Sequence, residues 1–250
     1  MKRKLVAAIA CRNTGSRLYG KPLQNLDIMN GYKIIDYIID SIKMLGCVDE
    51  IVLGVSEGIE NEIFIDIAKQ KNIKYIIGDE NNVLQRLIHC GEISQATDIF
   101  RITSESPFLY YQSVESLWKE HQNNNTDAVF FDEIIDGCGF EIIKLSALIK
   151  SHDEGEDKHR SELCSLFIRE NKDKFKVNQV CAPKSLYRKD LRLTVDNPED
   201  LVVCRQVYKE FKSFAPQIPL DKIIEFLDKS PNLIQLTFPL TEEGYKSMYL

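Results

Sequence analysis

The chain has 250 residues, 44% of them hydrophobic, enough to bury one large core or one core with an appended lobe. Asp and Glu number 38 against 32 Lys and Arg, a formal net charge of −6. That balance argues against nucleic acid as a partner and requires any phosphate site to be local. Seven scattered cysteines without a CxxC pair argue against a disulfide framework or structural zinc, and no stretch approaches the roughly 18 apolar residues of a membrane span.

The N-terminus MKRKLVAAIACR has the basic start of a signal peptide, but its apolar run is short and Arg12 interrupts it, so residues 5–10 are expected to be a first strand. A cytoplasmic protein with no membrane partner is the expectation. Behind that strand, Arg12, Gly15, Ser16, Arg17, Gly20 and Lys21 share ten residues. Glycine frees backbone amides to close on phosphate oxygens, and arginine forks with a lysine point charge neutralise them. GSRLYGK has Walker A spacing, but Pro22 stands where that motif needs Ser or Thr for Mg²⁺. A solvated basic turn is the competing reading of this loop.

Isoleucines at helical spacing predict an amphipathic helix over 32–45, then a strand at 51–55, a helix at 60–70 and a strand at 74–77. Strands alternating with helices indicate an α/β, doubly wound, mostly parallel sheet, whose ligands sit at the strands' carboxyl ends. A polar turn, GDENN at 78–82, precedes a helix over 83–93 carrying Arg86. A strand at 99–103 leads into Ser104 and Glu105, a carboxylate placed either for a metal or to cap the next helix. A helix at 112–122 and a strand at 128–131 complete the regular part, with His89 and His121 expected at or near helix surfaces.

From residue 132 the alternation is lost. A glycine-broken strand pair is expected over 134–143, an exposed charged loop over 151–158, a helix over 160–171, and strands over 174–180 and 191–195. The segment 132–188 is expected to form a smaller mixed lobe within a single domain spanning 1–250. His159 and Arg160 could meet an anionic acceptor, with a solvated loop as the alternative. Asp196 closes the last strand, Asn197 caps the following helix with Pro198 at its first position, and Glu199 and Asp200 fill the first turn, where the helix dipole favours acids. A helix at 220–227 precedes a polar and aromatic tail.

The stretches CRNTGSRLYGKPL, GDENNVLQR, RITSESPF, FIRENKDKFKV and LRLTVDNPEDL, in this order, resemble the bacterial cytidylyltransferases of the CMP-Kdo synthetase and SpsF-like spore-coat-polysaccharide group. The resemblance implies a Rossmann-like, GT-A-like nucleotidyltransferase fold and attack of an acceptor oxygen on the α-phosphorus of CTP. It implies catalytic charge from Arg12, Arg17 and Lys21, and nucleotide contacts from these with Cys11, Gly15, Ser16, Asn81, Asn82, Arg86 and Ser104. It implies Mg²⁺ held by Glu105 and Asp196, and a small anionic acceptor met by Glu141, His159, Arg160 and Arg192. Arg86 has a surface salt bridge as its alternative role, and Arg192 a structural pairing with Glu105. A homodimer through 132–188 and a place in surface-polysaccharide synthesis are implied in the same way. Glu105 stands where the family carries aspartate, Tyr19 where it carries proline, and Gly139 where relatives carry an acid. The same fold using another nucleoside triphosphate, or a nucleotide-binding relative without turnover, are the alternatives.

Overall fold

The structure is a computed structural model that describes residues 2–15 and 17–247. The opening apolar run is strand β1 (Leu5–Cys11). Its alternate residues serve two cores: Leu5, Ala7, Ile9 and Cys11 on one face of the sheet, Val6 and Ala8 on the other. A short hairpin, β2 (Asn25–Asp27) and β3 (Tyr32–Lys33), then leads into α1 (Ile34–Lys43). The hairpin shortens the expected helix at its start, because Tyr32 and Lys33 pair with β2 instead. In α1, Ile34, Ile35, Ile38, Ile39 and Ile42 are buried, each worth roughly 1.5–3 kcal/mol against an exposed position.

There follow β4 (Glu50–Ser56), α2 (Glu62–Lys71), β5 (Lys74–Gly78), α3 (Val83–Ile93), β6 (Asp98–Thr103) and α4 (Val114–Asn124). Then come β7 (Ala128–Glu133), β8 (Phe140–Lys144), α5 (Leu145–Glu154), α6 (Asp157–Arg160), α7 (Leu166–Glu170) and β9 (Val177–Cys181). The chain ends with α8 (Pro198–Phe211), α9 (Leu220–Asp228) and α10 (Pro231–Ser247).

The main sheet has seven strands in the order β5-β4-β1-β6-β8-β7-β9, parallel throughout except that β8 runs against both its neighbours. Helices α1, α2, α4, α8 and α9 cover one face and α3, α5 and α7 the other. The doubly wound α/β fold expected from the alternation is therefore present. From β1 the chain moves outward to β4 and β5, then returns to place β6 on β1's other side. This reversal opens a crevice at the carboxyl ends of β1 and β6, where such sheets hold ligands.

The second half departs from expectation in several places. Of the strand pair expected over 134–143 only β8 lies there; it pairs with β7 and β6, and 134–139 is the link from β7, with Gly137 at φ +90°. The loop expected at 151–158 is largely helical, since α5 runs on to Glu154 with the Ser151 hydroxyl donating to Ala147 O at 2.7 Å. Helix in 160–171 is confined to α7, apart from Arg160 at the end of α6. The segment 132–188 contributes β8 and β9 to the main sheet.

No sheet strand forms over 191–195. Leu191, Leu193 and Val195 are buried in the core, but in place of a ladder the segment's backbone has an isolated bridge between Asp136 and Arg192 and single bonds such as Leu193 N–H to Asp136 O at 2.8 Å and Val195 N–H to Glu105 O at 3.1 Å. Its alternating pattern records facing, not ladder pairing. His121, expected near a surface, is fully buried, and the tail forms α10.

Candidate active site

The loop after β1 is closed on itself and stapled to its neighbour. Gly20, at φ +60°, donates its N–H to Asn13 O at 2.9 Å. The Asn13 N–H donates to Asn61 Oδ1 at 2.8 Å, and its side-chain amide donates to Glu60 O. Asn61 in turn donates to Glu57 O at 3.0 Å, so the β4–α2 connection holds the first turn of the basic loop. Sequence reasoning missed this latch, because the two asparagines lie 48 positions apart and neither carries a local motif.

The loop's cations face carboxylates. Lys21 Nζ lies 2.6 Å and an Arg17 nitrogen 3.1 Å from Asp196 Oδ1. Arg12 lies 3.8 Å from Glu80 and 3.5 Å from Glu162, one partner from each half of the fold. Gly15 turns tightly, since a Cβ there would stand 2.7 Å from Leu18 O. Ser16 lies outside the described residues. Cys11 presents its carbonyl to Arg86 while its thiol is buried, which pushes the thiol's pKa up.

Across the crevice, the turn after β6 is sewn to the segment before α8. Thr103 donates to Ser106 Oγ at 2.8 Å, Ser106 donates to Thr194 Oγ1 at 3.0 Å, and Val195 binds the Glu105 carbonyl. This brings Glu105 and Asp196 into electrostatic contact. Burial raises the pKa of Glu105, and the Asp196 charge raises it further; the Ser104 hydroxyl donates to Glu105 Oε2 at 3.0 Å. Asp196 is held below the usual range. Burial alone would raise it, but the hydrogen bond and charge of Lys21, with Arg192 and Arg17, outweigh that. Arg192, whose alternative role is a structural pairing with Glu105, is instead buried against Asp136, Asp196 and Asp200.

Two carboxylates that oppose each other's ionisation fit a divalent cation, which would relieve the repulsion. Among the described residues no group of three or more His, Cys, Asp or Glu could hold a metal. A cation held by the pair alone would take its remaining ligands from phosphate and water, as Mg²⁺ does elsewhere.

The other candidate residues are largely bound within the fold. Arg86 is buried and donates to the carbonyls of Cys11, Gly54 and Glu80, at 3.2, 2.9 and 3.3 Å. It joins the ends of β1 and β4 instead of making a surface salt bridge. Asn82 caps α3 by accepting from Gln85 N–H at 3.0 Å, and Asn81 is exposed beside it, its N–H donating to Asp79. Glu141 is buried, accepting from Ser165 at 2.6 Å and Arg169 at 2.7 Å, with Arg101 at 3.4 Å. Burial would raise its pKa, but the charges of Arg101 and Arg169 hold it low. His159 accepts the Glu156 N–H at Nδ1 and pairs through Nε2 with Glu170 at 2.8 Å. Arg160 donates to Asp157 and to the carbonyls of His152 and Gly155.

The sequence profile of the family described as cytidylyltransferase matches residues 6–242. The chain belongs to the cytidylyltransferase family. This cytidylyltransferase is 21% identical over 229 residues to the spore coat polysaccharide biosynthesis protein SpsF of Bacillus subtilis, covering 90% of this chain and 94% of that one. In fold it is similar to a cytidylyltransferase from Leptospira borgpetersenii, with a TM-score of 0.84 and 20% identity, over 94% of this chain and 98% of the other. It is also similar to a CMP:2-keto-3-deoxy-manno-octonic acid synthetase complexed with CTP, with a TM-score of 0.60 and 16% identity, over 83% and 99% of the two chains. No described helix is long and apolar enough to cross a membrane.

Proposed function

We propose that this cytidylyltransferase transfers CMP from CTP to an acidic sugar, or to a small phosphorylated sugar or alcohol, in surface-polysaccharide synthesis. One observation carries the proposal: the basic loop of β1 faces the Glu105–Asp196 pair across the crevice. An acceptor oxygen forms a bond to the α-phosphorus as the bond to the bridging β-phosphate oxygen breaks, and pyrophosphate departs. Arg12, Arg17 and Lys21 offset charge on the triphosphate and on the leaving group, so positioning and electrostatics suffice without a covalent nucleophile. Glu105 and Asp196 would hold Mg²⁺, which supplies Lewis-acid charge to phosphate oxygens when bound. The polysaccharide setting is supported by the name of the SpsF relative.

The test is pyrophosphate release with each of the four nucleoside triphosphates and Mg²⁺, across acidic sugars, sugar phosphates and alcohol phosphates. Release with CTP and one acceptor class is expected. Release with another triphosphate would overturn the assignment of CTP, and no thermal protection by any nucleotide would overturn the enzyme itself. A homodimer through 132–188 belongs to the same proposal and is read from light scattering at the assay concentration.

A further inference from the structure

We propose that Asp136, Arg192 and Asp200 form a cradle that positions Asp196 for the cation, with Asp200 as its anchor. The inference rests on the proposed function, which gives Asp196 to the metal.

Asp200 is fully buried, unlike an acid that only answers a helix dipole. Both of its oxygens are engaged. Oδ1 accepts from Arg192 Nε at 3.0 Å. Oδ2 accepts from the N–H groups of Asp196 at 3.0 Å and Asn197 at 2.9 Å, and from the Asn197 side-chain amide at 3.2 Å. It therefore grips Asp196 directly through the backbone and indirectly through Arg192, whose remaining nitrogens bind Asp136 and Asp196 Oδ2. With Oδ2 and the backbone N–H both fixed, Asp196 is left presenting Oδ1, the oxygen that faces Lys21 and Arg17.

The charge arrangement points the same way. One guanidinium stands among three carboxylates, all largely removed from water. Such a cluster is a poor stability device, because desolvation of the ions offsets their attraction. It is balanced only when cations gather at Asp196, as Lys21 and Arg17 do here. A carboxylate whose Oδ2 is fixed, and whose Oδ1 is met by Lys21 and Arg17 that a metal ion can replace, is what a hard cation needs from a positioning shell.

The test measures Mn²⁺ binding from the loss of the free-ion spectrum in electron paramagnetic resonance, on the full chain with CTP present, beyond the loss that the same CTP causes without protein. The variants are Asp200→Asn and Asp136→Asn, each removing one carboxylate from Arg192 while keeping side-chain shape. Wild type should bind Mn²⁺, and Asp200→Asn should weaken it about tenfold or more, a loss of about 1.4 kcal/mol. Asp136→Asn should act in the same direction. Metal-free CTP binding should change less than about twofold in both, a split that a merely structural role would not produce. Folded variants that bind Mn²⁺ as wild type does would overturn the cradle alone. Wild type without Mn²⁺ binding would overturn the metal assignment beneath it. Should Asp200→Asn fail to fold, Asp136→Asn decides.

Discussion

Gly137→Ala is expected to damage both stability and the site from a position that touches no substrate. Gly137 has φ +90°, and a Cβ there would stand 2.3 Å from Thr194 N, 2.6 Å from Leu193 C and 2.9 Å from Leu193 O. All three are backbone atoms, so no side chain can turn aside. Left-handed strain costs about 1–2 kcal/mol, and overpacking typically costs about 1–3 kcal/mol more. At about 2–4 °C per kcal/mol for a chain of this size, the melting temperature should fall on the order of 10 °C. The displaced segment lies between Arg192 and Asp196, so kcat for pyrophosphate release should fall as well. Gly46→Ala is the control, since nothing lies within 4 Å of a Cβ there; it should move the melting temperature by no more than about 2 °C. The melt is read by circular dichroism and the turnover by a coupled pyrophosphate assay. A Gly137→Ala protein melting within about 2 °C of wild type would refute the reasoning.

Other perturbations test different parts of the molecule. Lys21→Ala removes the cation nearest Asp196 Oδ1 and should lower kcat about 100-fold in the pyrophosphate assay, as loss of a charge-stabilising donor does elsewhere; full activity would remove Lys21 from the mechanism. Glu141→Gln removes the buried carboxylate between Arg101 and Arg169, of which Arg169 keeps Asp132 at 2.6 Å, and should cost about 1–3 kcal/mol in denaturant unfolding. His121 sits buried against Asp98, and burial holds its pKa below the ordinary value despite that carboxylate. On acidification the unfolded chain takes up the His121 proton first. Stability from this site is therefore complete above about pH 6.5 and lost as pH falls, by up to about 1.4 kcal/mol per pH unit. Asp98, also lowered, acts in the same direction at more acid pH. His121→Gln should flatten the slope of melting temperature between about pH 6.5 and 5, and an unchanged slope would assign the acid lability to other groups.

The first half of the fold was legible because its strands and helices are fixed by local periodicity: the isoleucine stripe of α1 and the apolar run of β1 point to one arrangement each. The second half was not, because its geometry depends on what meets what. Residues 191–195 alternate like a strand, yet their neighbours are the 134–139 link and the Glu105 carbonyl, which no pattern announces. Asp200 reads as a dipole acid in sequence, and only the fold shows Arg192 beside it. Gly54 and Gly78 look like ordinary strand residues, but they admit Arg86, whose side chain would stand 3.5 and 2.9 Å from a Cβ at those positions. The start of α8, with Asn197 as cap and Pro198 at the first position, was legible because it is a local motif. The bonds that occupy His159 and Arg160 were not, because they depend on how α5 ends and where α7 lies.

The single reversed strand of the main sheet, β8, decides which segments of the chain overlook the crevice. In a wholly parallel sheet each strand begins at the amino edge, so only departing segments overlook the ligand. Because β8 begins at the carboxyl edge, its incoming link 134–139 overlooks the crevice too, and delivers Asp136 to Arg192. A change in that link would therefore reach Asp196 through Arg192, although it lies outside β1, β4 and β5. The reversal thus gives the crevice two walls of different origin, one built from segments that leave β1 and β6 and the other from a segment that arrives at β8, with Arg192 joining them.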